Sequence, residues 1–273
     1  MSDVGALKGV LKIKVSITVK TGLHIGGSKE NVEIGGIDNI VEKLKVFKLD
    51  WVAEDKPDQE AKEYYDVPYI PGSSLKGKLR SLLEWVEKPN TGQKNNKKVI
   101  ALSYEGNPCQ CGTCIVCKLF GVHQAKNIQE PVRMRIEDLY PTEDTIDLWE
   151  HVLDSGYTEM KTENMIHRIR GVAENPRHTE RVIAGSVFEG WITIRLFEKD
   201  FVEPYQNYLS LLKKAFEMLE DDYLGGSGSR GYGRVKIGIK CLEYKKVEEG
   251  RYQRVEDDTV IEKAKDILRV AQC

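Results

Sequence analysis

The stretch Val10–Lys20, "VLKIKVSITVK", alternates without a break: Leu11, Ile13, Val15, Ile17 and Val19 on one side, Lys12, Lys14, Ser16, Thr18 and Lys20 on the other. A period of two belongs to a strand with one face in a core and the other in water. Strands are also predicted at "VFEGWITIRLF" (187–197) and "RVKIGIKCLEY" (234–244), where Val235, Ile237 and Ile239 keep step and a slip of one residue would exchange Cys241 for Leu242. Between the strands the period becomes helical. In 73–87, Leu75, Leu79, Leu82, Leu83 and Val86 form one apolar stripe, entered through Pro71 and Gly72 with Ser73 or Ser74 as cap. In 204–220, Tyr208, Leu212, Ala215, Phe216 and Leu219 keep the same spacing, and a last amphipathic helix is predicted over about 257–270. Strand, helix, middle segment, strand, helix, glycine loop, strand is the order of a split βαβ, ferredoxin-like plan, an α+β fold. One sheet face of such a plan can be offered to RNA, which on fold alone is analogy.

With 273 residues, 40% apolar and 31% charged, the chain has the composition of a globular protein able to bury a full core. No apolar run approaches the roughly 18 residues of a membrane span. The first residues, "MSDVGALKGV", lack the apolar core of a secretion signal, so the expectation is a cytoplasmic protein without membrane contact. A net charge of −2 does not announce a nucleic-acid binder, so any RNA must meet a patch. Two segments are basic: "GSSLKGKLR", with three basic residues and no acid, and 161–181, with Lys161, Arg168, Arg170, Arg177 and Arg181. By contrast 42–66 is acidic and reads as a solvated insertion.

Four motifs carry chemistry. "LGGSGSRGYGRV" ends a helix with glycines that let backbone amides approach phosphate, and Arg230 and Arg234 add fork-shaped donors; the plainer reading is a flexible turn. "PYIPGSSLKGKLR" sets Ser73, Ser74, Lys76 and Lys78 beside the free N–H groups of a helix N-terminus, which suits an anion, and is a capped amphipathic helix in any case. Cys109, Cys111, Cys114 and Cys117 stand as C-x-C-x2-C-x2-C, which in a cytoplasmic chain points to a metal: structural tetrahedral zinc, or an iron–sulfur cluster. Lastly, "GLHIGGSKENVEIGGIDN" (Gly22–Asn39) holds His24 and Asp38 on a glycine-rich loop. A single acid on a loop is most often a turn residue, and neither composition nor spacing makes Asp38 catalytic.

Taken in order, "TGLHIGGS", "GGIDN", "YIPGSSLKGKLR", "CKLFG", "TENMIHRIRGVAENPRHTERV" and "GGSGSRGYGRV" resemble the backbone subunits of type III-A CRISPR Csm effector complexes, within the RAMP superfamily, over about residues 10–240. The resemblance implies one RRM-like palm spanning 1–273, with insertions at about 41–66 (acidic), 90–130 (a lid and the zinc-bound loop) and 155–182 (a thumb hairpin). It implies copies stacked head to tail along a guide RNA, in company with other Csm subunits. Each thumb would displace one nucleotide, and complementary target RNA would be cut at each kink, so the implied activity is that of an RNA-guided endoribonuclease.

In that family the aspartate of the "GGIDN" loop is needed for cleavage, which here is Asp38. The ribose 2′-OH would attack the phosphate and leave a cyclic phosphate. Asp38 would take the 2′-OH proton or hold a divalent ion such as magnesium. His24 would position RNA, assist proton transfer or shape the loop. Lys76, Lys78, Arg80 and Arg230 map to guide-RNA phosphates; Lys161, Arg168, Arg170 and Arg181 map to the thumb beside RNA. Two departures stand out: the acidic insertion, and His167 where the family pattern has an aspartate. Two other readings compete: a non-catalytic RNA-binding scaffold, and a guide-processing nuclease of the same superfamily.

Overall fold

The structure is a computed structural model, and it describes residues 4–27, 39–48, 62–86, 107–122, 130–256 and 258–270. In chain order its elements are β1 (Leu7–Val19), β2 (Lys43–Lys48), β3 (Glu63–Pro68), α1 (Gly72–Val86), α2 (Ile115–Phe120), β4 (Met134–Ile136), β5 (Tyr140–Pro141) and α3 (Glu143–Val152). There follow β6 (Glu159–Ile166), β7 (Ala173–Arg181), β8 (Val187–Phe197), α4 (Lys199–Val202), α5 (Gln206–Asp221), β9 (Val235–Glu248), β10 (Arg251–Val255) and α6 (Thr259–Leu268).

The main sheet is antiparallel and runs β10-β9-β1-β8-β4, with β5 also on β8. Four of its strands, β9-β1-β8-β4, have the order of the split βαβ plan: β1, α1 and β4, then β8, α5 and β9, so the two repeats interleave around β1 and β8. The alternation of the opening strand explains why β1 is central. Leu11, Ile13, Val15, Ile17 and Val19 are all 0–1% exposed and face the helices. On β8 the matching positions are Phe188, Gly190, Ile192 and Ile194, paired in register with Ile17, Val15, Ile13 and Leu11. On the opposite face the Lys12 ammonium sits 4.3 Å from the centre of the Trp191 ring.

The slip in β9 is a β-bulge. Val15 pairs with Ile239 but Lys14 pairs with Cys241, so Lys240 is the extra residue. Beyond it Leu242 and Tyr244, rather than Cys241, continue the row packed on the core.

Three expectations are corrected. Helix α1 begins at Gly72, so Ser73 and Ser74 lie in its first turn and cap nothing; the N–H groups of Ser74 and Leu75 are taken by the Pro71 carbonyl. Val86 is 49% exposed and off the buried stripe. The acidic 42–66 stretch is not wholly solvated either. Its ends pair as the β2–β3 hairpin and bury Phe47, Tyr64 and Val67, while the facing pair Val46 and Tyr65 stays exposed; residues 49–61 lie outside the described residues.

The sequence reading passed over α3, whose Thr142 cap accepts from the N–H of Thr145 and whose Ile146 and Trp149 are fully buried. A separate hairpin, β6–β7, stands off the sheet and exposes Ile169 to 91% together with Met165 and Ile166. Of the 90–130 stretch, 107–122 is described and carries the cysteines. Among the described residues no helix is long and apolar enough to cross a membrane.

Candidate functional site

Three pieces of chain meet at the base of the β6–β7 hairpin. The first is the segment after β1. Leu23 bridges to Val182, Gly26 to Val41, and Asn39 to Thr179. The main-chain N–H of Glu180 donates to the Asn39 carbonyl at 3.0 Å. Asp38 itself lies outside the described residues, one position before that bridge.

Glu180 is the tie at this junction. It is 3% exposed, and its carboxylate accepts from the N–H of Val41 at 2.8 Å, from the Thr158 hydroxyl at 2.6 Å and from the Lys43 ammonium. Burial alone would raise its pKa, but these donors outweigh it and hold the carboxyl below the usual range. Nothing in sequence spacing singles Glu180 out, because its partners come from three separate elements.

The second piece is the glycine loop. Gly226 N–H donates to the His24 carbonyl, and Gly225 comes so near that an added Cβ would lie 2.2 Å from that oxygen. With φ at +79° as well, only glycine fits there without strain. His24 is therefore a buried shaping residue: 9% exposed, its Nδ1–H donating to the Glu180 carbonyl at 2.8 Å. Of the roles read for His24, this placement supports shaping the loop.

The third piece is the hairpin. Tyr232, 1% exposed, reaches from the glycine loop to donate to Glu163 at 3.1 Å. Lys161 lies 4.5 Å and Arg181 5.2 Å from its ring centre. Arg230 also faces Glu163, at 3.4 Å, and remains half exposed. So Lys161, Arg181 and Arg230 are brought together, through a tyrosine and a glutamate that pattern-reading missed. Arg234 is exposed just beyond, its N–H held by the Thr21 hydroxyl. Arg168 and Arg170 stand apart at the exposed tip turn, where Arg170 pairs with Glu174 at 2.6 Å. His167 does there what an aspartate would do: its Nδ1 accepts from the N–H groups of Ile169 and Arg170.

The α1 residues form another group. Gly72 N–H is taken by the Asp138 carboxylate at 2.7 Å, so the helix N-terminus is partly filled by the protein itself. Ser73 is exposed and Ser74 half-buried beside it. Lys78 pairs with Asp222 at 2.8 Å and covers Tyr223 at 4.0 Å; that ring in turn packs on Gly228 of the glycine loop. Lys76 is half-buried, and burial together with the charges of Arg80 and Arg195 lowers its pKa. Arg195, which no sequence pattern marks, thus stands beside Lys76. Arg80 is engaged inside the protein by Glu84, at 2.8 Å, and by the Cys109 carbonyl, at 2.6 Å.

The cysteines converge. Their four sulfurs lie within 4.8 Å of one another, with Cys109–Cys114 at 4.0 Å and Cys111–Cys117 at 3.9 Å. A tetrahedron with metal–sulfur bonds of about 2.3 Å has edges of about 3.8 Å, so this donor set can hold a metal ion. Main-chain N–H groups of Cys114 and Cys117 point at the sulfurs of Cys111 and Cys114, a turn opened by Gly112 at φ +72°. Four thiols this close do not ionise together without a cation. A hydrogen bond from the Cys114 thiol brings Cys117 down to about 5, while Cys114, which gives that bond, is pushed up, and burial pushes Cys109 up to about 12.

With this geometry in hand, the likenesses to known proteins are informative. The RAMP superfamily model matches residues 16–236. A "CRISPR system Cms endoribonuclease Csm3" of Methanocaldococcus jannaschii is 36% identical over 261 residues, covering 93% of this chain and 90% of the relative. Another of the same name, from Methanothermobacter thermautotrophicus, is 35% identical over 254 residues, covering 86% and 88%. The Methanopyrus kandleri Csm3 crystal structure superposes with a TM-score of 0.51 at 23% identity, over 88% of this chain and 78% of that one, which speaks to the fold alone. A family model that spans the sheet from β1 to β9, and relatives matched nearly end to end, lead to one conclusion: this chain belongs to the RAMP superfamily and, within it, to the Csm3 family of CRISPR-system endoribonucleases.

Proposed function

We propose that the chain is the repeating backbone subunit of an RNA-guided complex. Copies line a guide RNA head to tail, and each copy cuts paired target RNA through Asp38. The observation that carries this reading is the main-chain bridge between Asn39 and the base of the β6–β7 hairpin. It ties the chain position next to Asp38 to a hairpin that stands off the main sheet. That hairpin serves as the thumb. Its basic base and apolar tip suit a segment that grips a phosphate chain and wedges between bases; Ile169 alone is 91% exposed.

In this reading Lys76, Lys78 and Arg230 hold guide phosphates, with Arg195 beside Lys76. Lys161, Arg168, Arg170, Arg181 and Arg234 line the path along the hairpin, and Ser73 the start of α1. Sequence-independent contacts suffice, because pairing with the guide supplies specificity. The four cysteines hold structural zinc, which pins a short loop that has little core of its own. The kinked target brings the 2′-OH in line with its phosphate, and Asp38 either accepts that proton or holds a divalent ion. Metal dependence of the rate separates the two roles.

The test is a complex assembled only with Asp38→Ala subunits and given matched target RNA. Cleavage should fall at least about 100-fold, the usual worth of a general base, with target affinity unchanged. The wild-type products should be evenly spaced and end in cyclic phosphate. Undiminished cutting by the mutant complex would overturn the assignment and leave a scaffold role.

A further inference from the structure

We infer that Glu84 and Arg80 of α1 are positioning residues for the four-cysteine metal centre: they fix its first ligand, Cys109, and so join metal occupancy to the order of α1. The inference rests on the reading of the cluster as a zinc centre.

Glu84 is a charged residue only 2% exposed near the C-terminal end of a helix, a placement that needs a reason. Its reason is found in the cysteine loop. One carboxylate oxygen accepts both from Arg80 Nε at 2.8 Å and from the N–H of Cys109 at 3.0 Å. A second nitrogen of the same guanidinium, Nη2, donates to the Cys109 carbonyl at 2.6 Å. One buried ion pair thus holds both main-chain polar groups of a single residue 25 positions further along the chain. The planar fork of arginine allows this, since two donors of fixed spacing serve a carboxylate and a carbonyl at once.

Cys109 is the ligand whose main chain is held by side chains of another element. Cys114 and Cys117 sit at the start of α2. Cys109 precedes that helix, and its N–H and carbonyl are held from α1. The Cys117 sulfur lies 3.4 Å from the Cys109 carbonyl. A clamp on a ligand acts on the loaded state beyond what it adds to the metal-free fold, which distinguishes a positioning role from plain stabilisation. Linkage then runs in both directions: whatever orders the clamp tightens metal binding, and metal orders the last turns of α1.

The experiment uses the full-length chain and the metals themselves. Zinc affinity is measured by chelator competition, and the centre is read by the absorption of bound cobalt(II). Glu84→Ala should lower zinc affinity 10- to 100-fold, the usual effect of losing an outer partner. Glu84→Gln keeps an acceptor for the Cys109 N–H but loses the charge facing Arg80, so it should fall between wild type and alanine. Arg80→Lys should also weaken binding and shift the cobalt spectrum. Lys78→Ala, on the same helix but away from the loop, should leave both readouts unchanged. Amide exchange over 79–86 should slow on zinc addition in wild type and respond less in Glu84→Ala. Wild-type zinc affinity and spectrum in Glu84→Ala would overturn the inference, as would a loss of stability equal in loaded and metal-free protein. A wild-type chain that takes up no metal would overturn the zinc reading first and this inference with it.

Discussion

Replacing Glu180 should unfasten the junction at the base of the hairpin, and the size of the effect follows from its partners. The alanine variant leaves the buried Val41 N–H and the half-buried Thr158 hydroxyl without an acceptor and the Lys43 ammonium without its counter-charge. An orphaned buried donor costs about 1–3 kcal/mol, and breaking a buried ion pair about 3–5 kcal/mol. The Lys43 side chain is 29% exposed and can rehydrate, which removes part of the second cost. We therefore expect Glu180→Ala to lose about 2–4 kcal/mol at pH 7. Glu180→Gln, which still accepts from Val41, should lose about 1–2 kcal/mol.

The pH dependence is the sharper test. The folded-state pKa of Glu180 is depressed below its ordinary 4.5, so its contribution is present above about pH 4.5 and is lost as pH falls through the folded value. A protonated glutamate resembles glutamine, so the gap between wild type and Glu180→Gln should close from pH 7 towards pH 3. Urea unfolding of wild type and variant side by side at several pH values measures it. A gap that is the same at pH 7 and pH 3, or an alanine variant within about 0.5 kcal/mol of wild type at pH 7, would refute the reasoning.

Two further outcomes are expected. Gly225→Ala combines a positive φ with a Cβ 2.2 Å from the His24 carbonyl, so it should destabilise by about 2 kcal/mol or more, or displace the glycine loop; unchanged stability and RNA affinity would contradict the packing described. Lys76→Ala with Arg230→Ala should weaken binding of unrelated guide sequences alike and flatten the salt dependence of log affinity by about 0.7 per lost contact. Loss confined to certain sequences would make these residues base readers instead.

The strands and the long helices were legible because they obey local periods. Val10–Lys20 alternates over its whole length, and the apolar stripes of α1 and α5 repeat at helical spacing, so burial of one face by itself dictates the conformation. The cysteine cluster was legible for a similar reason: C-x-C-x2-C-x2-C brings four sulfurs together within one turn of chain. The short strands β2 and β3 and helix α3 were hidden, since each has only one to three buried positions and no sustained period. The roles of charged residues lay further out of reach. Arg80 and Lys76 sit one helical turn apart in a basic stretch and look alike in sequence. Only the tertiary structure sets one against Glu84 and Cys109 and the other between two cations. Likewise Glu180, Glu163 and Tyr232 gain their meaning from partners 20 to 140 positions away in the chain. Sequence alone determines what depends on neighbours along the chain, namely the alternating strand, the helical stripe and the thiol cluster. Where a charge ends up depends on which distant elements the packed core presses together, and that only folding decides.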